Sequence, residues 1–329
     1  MNLFLVEAPA TPSEITVEPV ASAIVEEMKP TESMIDETPV NSTPVVAPAL
    51  PEENLESIRQ QVNSYIAERQ DRWKQRQEIR AQNLHAEKNR LNTEQQEAAV
   101  MCLDSSIKRI PPFIKRLRGV TEQQRDALCR DIQALNFTRY ISEVAAALTE
   151  AKLKMSDVWT SVQLCSLLHQ RYPDFAACLY ENWLKVLSKE ALMENSSKFR
   201  VDLRLYAELI TVHVLPINQA TQHLIGIFKM LMNDDKEFSN LAILISFTRL
   251  CGEDYAETFS QKIRKQMSKF DESQPFDEIG TSNFHPAELK QQMRQMFVEY
   301  FEKLSIFLVD EHKKLQKREQ LMKRTMEVS

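Results

Sequence analysis

From about Thr121 to Phe270 the apolar residues recur every three or four positions and nowhere alternate in twos. That spacing predicts eight short amphipathic helices with no strand between them. The pattern is clearest between Ser156 and Ser188. Ser156 reads as an N-cap, and Val158, Val162, Cys165, Leu168 and Tyr172 then form one stripe. Pro173 ends that helix and can open the next, where Phe175, Leu179, Trp183, Val186 and Leu187 form a second stripe facing the first. Helix starts fall near positions 121, 138, 157, 174, 198, 217, 237 and 254. Taken every other one, they step by roughly 40 residues, close to the roughly 40 to 47 of two-helix solenoid repeats. One such pair cannot bury its own apolar face, so neighbours must stack. The expected fold is all-α, a HEAT-like solenoid of stacked antiparallel helix pairs.

Other stretches fit the same scheme. Pro111-Pro112 breaks the chain and marks the expected start of the solenoid, residues 111–310, and Thr121 with Gln124 suggests a capping box. Ser197 is placed to cap a helix with Phe199, Leu203, Tyr206, Ile210 and His213 on one side and Leu205, Leu209 and Val212 on another, which predicts an inner helix. Leu224, Ile227, Phe228 and Leu231 mark the next. A further helix carries Leu241, Leu244, Ile245 and Cys251 and is expected to end at Gly252 as a C-cap. Tyr255, Phe259, Ile263, Met267 and Phe270 form a last short stripe. From Pro286 a long helix buries Leu289, Met293, Met296, Tyr300, Leu304 and Phe307. Its end, residues 311–329, is basic and barely amphipathic, a solvated extension.

Upstream, residues 54–110 are highly polar, with only Leu55, Ile58, Val62, Tyr65 and Trp73 as a thin apolar stripe. They predict a long, largely solvated charged helix, with Trp73 as a candidate docking anchor for a partner. Residues 1–53 hold ten acidic residues against one basic and eight of the fourteen prolines. Such a segment cannot repay its ordering entropy and is expected to be disordered. The net charge of -6 therefore hides a slightly basic folded part.

Composition narrows the chemistry. With only Gly119, Gly226, Gly252 and Gly280, the chain cannot build a phosphate-cradling loop, a nucleophile elbow or a dinucleotide fingerprint. No enzyme activity, cofactor or small-molecule substrate is expected. Five cysteines are scattered without a CxxC pair, which suits reduced, mostly buried thiols in an intracellular protein. Neither a signal peptide nor a membrane span is legible, so a cytoplasmic location with nuclear exchange is expected. Cys165 and His169 sit one turn apart but lack the partners a zinc site needs, so packing explains them. His213 reads as a hydrogen-bonded core histidine and Asp234-Asp235 as a loop or helix-terminus charge. Two basic clusters stand out: Lys115, Arg116 and Arg118, and Lys262, Arg264, Lys265 and Lys269. Either they are solvated helix faces or they make nonspecific, salt-dependent contacts with RNA phosphates or a partner.

The segments AKLKMSDV (151–158), LCSLLHQRYPDF (164–175), KFRVDLRLYAELI (198–210) and LISFTRLCGEDYAE (244–257) carry a resemblance. Over about residues 112–310 the chain resembles the first middle domain of the up-frameshift two family of nonsense-mediated mRNA decay factors. That domain is similar to the middle domain of translation initiation factor four gamma, a crescent of stacked helix pairs. The resemblance implies a scaffold in mRNA surveillance that bridges the up-frameshift helicase to the exon junction complex, with no catalytic residues. The family carries three such domains and a helicase-binding tail, and this chain holds one. The alternative reading is a general helical-repeat adaptor in translation initiation or transport that shares only the repeat physics.

Overall fold

The computed structural model describes residues 52–90, 100–233, 235–258 and 283–328. The acidic segment before residue 52, Asp234, the stripe Phe259, Ile263, Met267 and Phe270, and the cluster Lys262, Arg264, Lys265 and Lys269 lie outside them. Eleven α-helices follow in chain order among the described residues: α1 Glu52–Asn89, α2 Ile110–Leu117, α3 Arg125–Ala134, α4 Ile141–Thr149, α5 Val158–Arg171, α6 Phe175–Val186, α7 Lys189–Glu194, α8 Ser196–Thr211, α9 Ile217–Met232, α10 Leu241–Ala256 and α11 Ala287–Val328. No strand occurs among them; the one isolated bridge joins Asp104 to Leu135.

The helices stack in two layers. α3, α5, α8 and α10 pack side by side in one, and α2, α4 and α6 in the other, with α11 closing the far end against α10. The stripes read from the sequence form the core: Val158, Val162, Cys165, Leu168 and Tyr172 from α5 and its C-cap, and Phe175, Leu179, Trp183 and Leu187 from α6 and its end. α8 is the inner helix. Phe199, Leu203, Tyr206 and Ile210 are buried on one side and Leu205 and Leu209 on the other. This is the two-layer, nearest-neighbour stacking of a helical solenoid. Burying large side chains such as Trp183 and Tyr206, whose rings meet edge to face at 5.8 Å, holds adjacent layers together.

Several local expectations change. Pro111 and Pro112 do not break the chain but sit in the first turn of α2, where their missing N–H groups cost nothing. The cap of α8 is Asn195, whose side chain accepts from the Lys198 N–H at 2.9 Å; Ser197 is already inside the helix. Ser156 precedes the true cap, Asp157, whose carboxylate accepts from the Glu122 and Lys154 N–H groups and so ties α5 to the turn before α3. Thr121 makes no side-chain cap.

Gly252 is not a C-cap. α10 runs through it to Ala256 and ends at Glu257, a left-handed residue with φ 50°. The Gly252 carbonyl accepts the Thr258 N–H at 3.1 Å, and a Cβ on Gly252 would collide with the Thr258 hydroxyl. Glycine is there for close approach.

His213 is not on the core face either. It adopts φ 62° just beyond α8, at the position where helices usually place glycine. The Val214 N–H reaches the Leu209 carbonyl at 3.0 Å and the His213 N–H reaches Ile210 at 3.1 Å, the paired bonds of a Schellman ending.

Candidate interaction surface

A polar helix laid on the stack dominates the surface. α1 is 38 residues long, about 57 Å at 1.5 Å per residue, and it crosses α10, α8 and α5 in turn. Its docking positions are Val62, Arg69, Arg76 and Asn83, spaced seven apart, which keeps them on one face, and Arg90 just past its end continues the spacing. Only the first is apolar. Tyr65 and Arg69 bond to Glu253 of α10, the latter at 2.8 Å. Arg76 grips Glu208 of α8 with Nε and Nη2 at 2.8 and 2.6 Å, and its Nη1 lies 3.7 Å from Asp254. Burial by itself would raise the Glu208 pKa, but the Arg76 charge and its bonds outweigh it, so this carboxylate titrates below its ordinary range.

Further along, α1 satisfies the carbonyls that helix C-termini leave without partners. Arg80 donates to the Thr211 carbonyl at 2.6 Å, and Asn83, fully buried, donates to that of Val212 at 2.8 Å. The other end of the Asn83 amide accepts from Ser166 and Gln170 of α5 at 2.7 and 3.0 Å. Arg90 donates to the His169 carbonyl near the end of α5. Glu87 meets His213 at 2.8 Å. The helix expected to be largely solvated is therefore fastened by a row of charged and amide groups that its thin apolar stripe does not reveal.

The candidate residues fall in different places. Trp73 is 41 % exposed and its ring lies 6.5 Å from Phe284, which also sits under the Arg80 guanidinium. The anchor is thus half-covered by the chain's own segment before α11. In the first basic cluster Arg116 pairs with Asp131 and lies over the Phe113 ring, and Arg118 pairs with Glu150 at 3.4 Å in full solvent; Lys115 is exposed. The second cluster lies outside the described residues, so the two are not brought together here.

A cleft of about 730 Å³ opens where α1, α10 and α11 meet. Phe297, Val298 and Phe301 line it together with Arg72, Arg249 and Arg294 and the carboxylates Glu253 and Glu302. Beyond Phe307, whose ring meets Phe238 at 5.1 Å, α11 leaves the stack; Leu308, Val309, Leu315, Leu321, Met322 and Met326 are all more than half exposed. Ion pairs within the helix, Lys314–Glu311 at 2.7 Å and Lys323–Glu319 at 3.0 Å, support that extension.

Known proteins share this arrangement of helices. No family model matches the chain. Mouse and human regulator of nonsense transcripts 2 are each 37% identical over 263 residues, 78% of this chain. The crystal structure of the first MIF4G domain of human nonsense mediated decay factor UPF2 superposes with a TM-score of 0.73 at 36% identity, covering 82% of this chain and 85% of that one. The chain belongs to the UPF2 family. Its solenoid is the family's first MIF4G domain. The N-terminal MIF4G domain of yeast Upf2, at 20% identity and a TM-score of 0.51, shares the fold. The chain spans about a fifth of the length of the mammalian UPF2 relatives.

Cys165 is buried, and burial raises its thiol pKa far above the ordinary value. His169 is buried beside it, and burial, followed by the Arg90 charge, pushes its pKa down to about 3. No group of three or more His, Cys, Asp or Glu that could hold a metal occurs among the described residues. The thiols are less uniformly buried than composition suggests: Cys165 and Cys251 are, Cys129 and Cys178 are half-buried, and Cys102 is exposed. Asp235 accepts from the Ser239 and Asn240 N–H groups and from the Tyr300 hydroxyl at 2.8 Å, so it ties the loop before α10 to α11. No described helix is long and apolar enough to cross a membrane.

What sequence reasoning missed is the α1 docking row. A signal existed: Arg69, Arg76, Asn83 and Arg90 continue the seven-residue spacing begun by Val62. A search for apolar periodicity passes over it, because the repeating element is polar.

Proposed function

We propose that this chain is a non-enzymatic scaffold of nonsense-mediated mRNA decay, a module of a protein that bridges the up-frameshift helicase to the exon junction complex. Its similarity to a decay-factor domain across most of that domain's length carries the reading. A stack of helices whose polar side chains are spent on joining one helix to the next suits a platform, since rigid curved surfaces present docking sites without moving parts. Helicase and exon junction contacts belong to the whole protein and reach this module through its neighbours. Weak RNA contact through Lys115 and the Lys262, Arg264, Lys265, Lys269 cluster is part of the proposal and is nonspecific and salt-dependent. The protein works in the cytoplasm, with exchange into the nucleus.

The test is co-precipitation of the full chain from cell extract, with and without RNase, beside a variant in which Lys262, Arg264, Lys265 and Lys269 are changed to Glu. Decay factors recovered after RNase support the scaffold, and their loss in the variant maps the contact. Recovery abolished by RNase means tethering through RNA. Recovery of initiation or transport factors in place of decay factors makes the chain a general adaptor and overturns the reading.

A further inference from the structure

The cleft between α1, α10 and α11 has a composition that the packing of the domain does not require. Phe297, Val298 and Phe301 of α11 give it an apolar side, and Val298 is 44 % exposed although larger neighbours Phe297 and Tyr300 on the same helix are buried. Two arginines from different helices, Arg72 of α1 and Arg249 of α10, line it and are exposed; neither makes an ion pair or hydrogen bond with a described residue. Nearly every other cation of this region is committed. Arg69 holds Glu253, Arg76 holds Glu208, and Arg294, which also lines the cleft, holds Glu257 and the Ala256 carbonyl. Glu253, which also lines the cleft, is held by Tyr65 and Arg69 and makes no ion pair with Arg72 or Arg249.

We infer that this cleft is a docking site for an acidic peptide segment of a protein partner, one in which carboxylates flank an aliphatic or aromatic side chain. The apolar side chain covers Val298 and Phe301, and the carboxylates meet Arg72 and Arg249. Charge complementarity selects the occupant: two guanidinium groups from different helices, neither in a hydrogen bond or ion pair with a described residue, match two carboxylates, which arginine binds in a planar, two-pronged fashion. Nucleic acid fits less well. A phosphodiester backbone needs a row of cations, whereas the cleft offers only these two that are not already in an ion pair among the described residues. Arginine beside aromatic side chains is also the make-up of residues that dominate protein interfaces. The inference shares with the scaffold reading only that the ligand is protein, and it stands whether or not decay factors are recovered.

The experiment pans a displayed library of random dodecapeptides against the full chain. Selected peptides are then titrated by fluorescence anisotropy against the wild type, Arg72→Glu/Arg249→Glu, Val298→Asp and, as a charge reversal away from the cleft, Lys189→Glu on the exposed surface of α7. The expected result is enrichment of sequences with Asp or Glu flanking one aliphatic or aromatic residue. Affinity should fall at least about tenfold in the double reversal and in Val298→Asp and stay unchanged in Lys189→Glu. Circular dichroism melts of all four proteins separate lost binding from lost fold, and each altered residue is exposed, so the melts should coincide. No acidic enrichment, or peptides bound equally by the double reversal, overturns the proposal. A 15-mer oligouridylate that displaces the peptide and itself loses affinity in the double reversal makes the cleft a nucleic-acid site, and that also overturns it.

Discussion

Arg76 and Glu208, 132 positions apart in the chain, form a two-pronged ion pair at 2.6 and 2.8 Å in which both side chains are nearly shut off from water. Such a pair stabilises little relative to apolar residues of the same shape, because two charges had to be desolvated to make it. Its effect is on register. Only one position of α1 along α8 puts the guanidinium on the carboxylate, with Arg69 on Glu253 and Asn83 on the α8 end at the same time.

Breaking that pair from one side leaves a buried charge without its counterpart. Arg76→Met should cost about 3 to 5 kcal/mol, and Glu208→Gln about as much. The double variant should cost clearly less than the sum of the two. Urea denaturation of the four proteins measures this, and simple additivity would mean that the two groups are not coupled.

His213 holds a left-handed conformation at φ 62° that glycine adopts at lower cost. His213→Gly should therefore raise stability by about 0.5 to 1 kcal/mol, less what its bond to Glu87 contributes. Because that bond is exposed, Glu87→Gln by itself should shift the melting temperature very little. A lower melting temperature for His213→Gly would show that the Glu87 contact, not the backbone, sets the preference.

Gly252→Ala should destabilise by about 1 to 3 kcal/mol, since the new methyl meets the Thr258 hydroxyl. Thr258→Ala removes the colliding atom. In the double variant most of the loss should return, whereas an equal loss with either residue at 258 would place the strain elsewhere.

Acid should weaken the fold well above the ordinary carboxylate range. Burial, aided by nearby Arg90 and Arg80 charges, holds His169 and His285 at about 3, against 6.5 unfolded. Between those values the unfolded chain binds more protons, so stability is full above pH 6.5 and falls as pH drops, by up to about 1.4 kcal/mol per pH unit for each histidine. Asp202 opposes this. Burial outweighs its Lys198 partner and raises it to about 6, so it contributes stability at low pH that is lost as pH rises through 6. Two histidines against one aspartate leave a net loss from pH 6 toward pH 4. Urea unfolding at pH 7, 6, 5 and 4 should show it, and His169→Gln should flatten the slope; a stability constant over that range would count against neutral buried histidines.

Much of the solenoid is legible in the spacing of its apolar residues. The stripes of α5, α6, α8 and α9 lie where that spacing puts them, because each depends on residues three or four positions apart. The departures gather at helix ends. Ser197 and Ser156 look like caps, but Asn195 and Asp157 hold those places, and Gly252 looks like a terminator although α10 runs past it. Which of several nearby candidates becomes the cap or the stop depends on how the chain turns at the helix end, here bringing Thr258 over Gly252, and apolar periodicity does not contain that.

Local pattern thus sets the class of fold, the inner position of α8 and most of the core, because apolar periodicity is a property that water enforces wherever it occurs. The work of the polar residues is assigned by distant parts of the chain. Arg69, Arg76, Asn83 and Arg90 read as solvated until Glu253, Glu208 and the carbonyl ends of α8 and α5 are folded against them. Arg72 and Arg249 read the same way, yet they end in one cleft with Phe297, Val298 and Phe301 and in no hydrogen bond or ion pair with a described residue. A charge has no fixed preference for core or surface. Its role follows from the groups that surround it, and those are set by the fold.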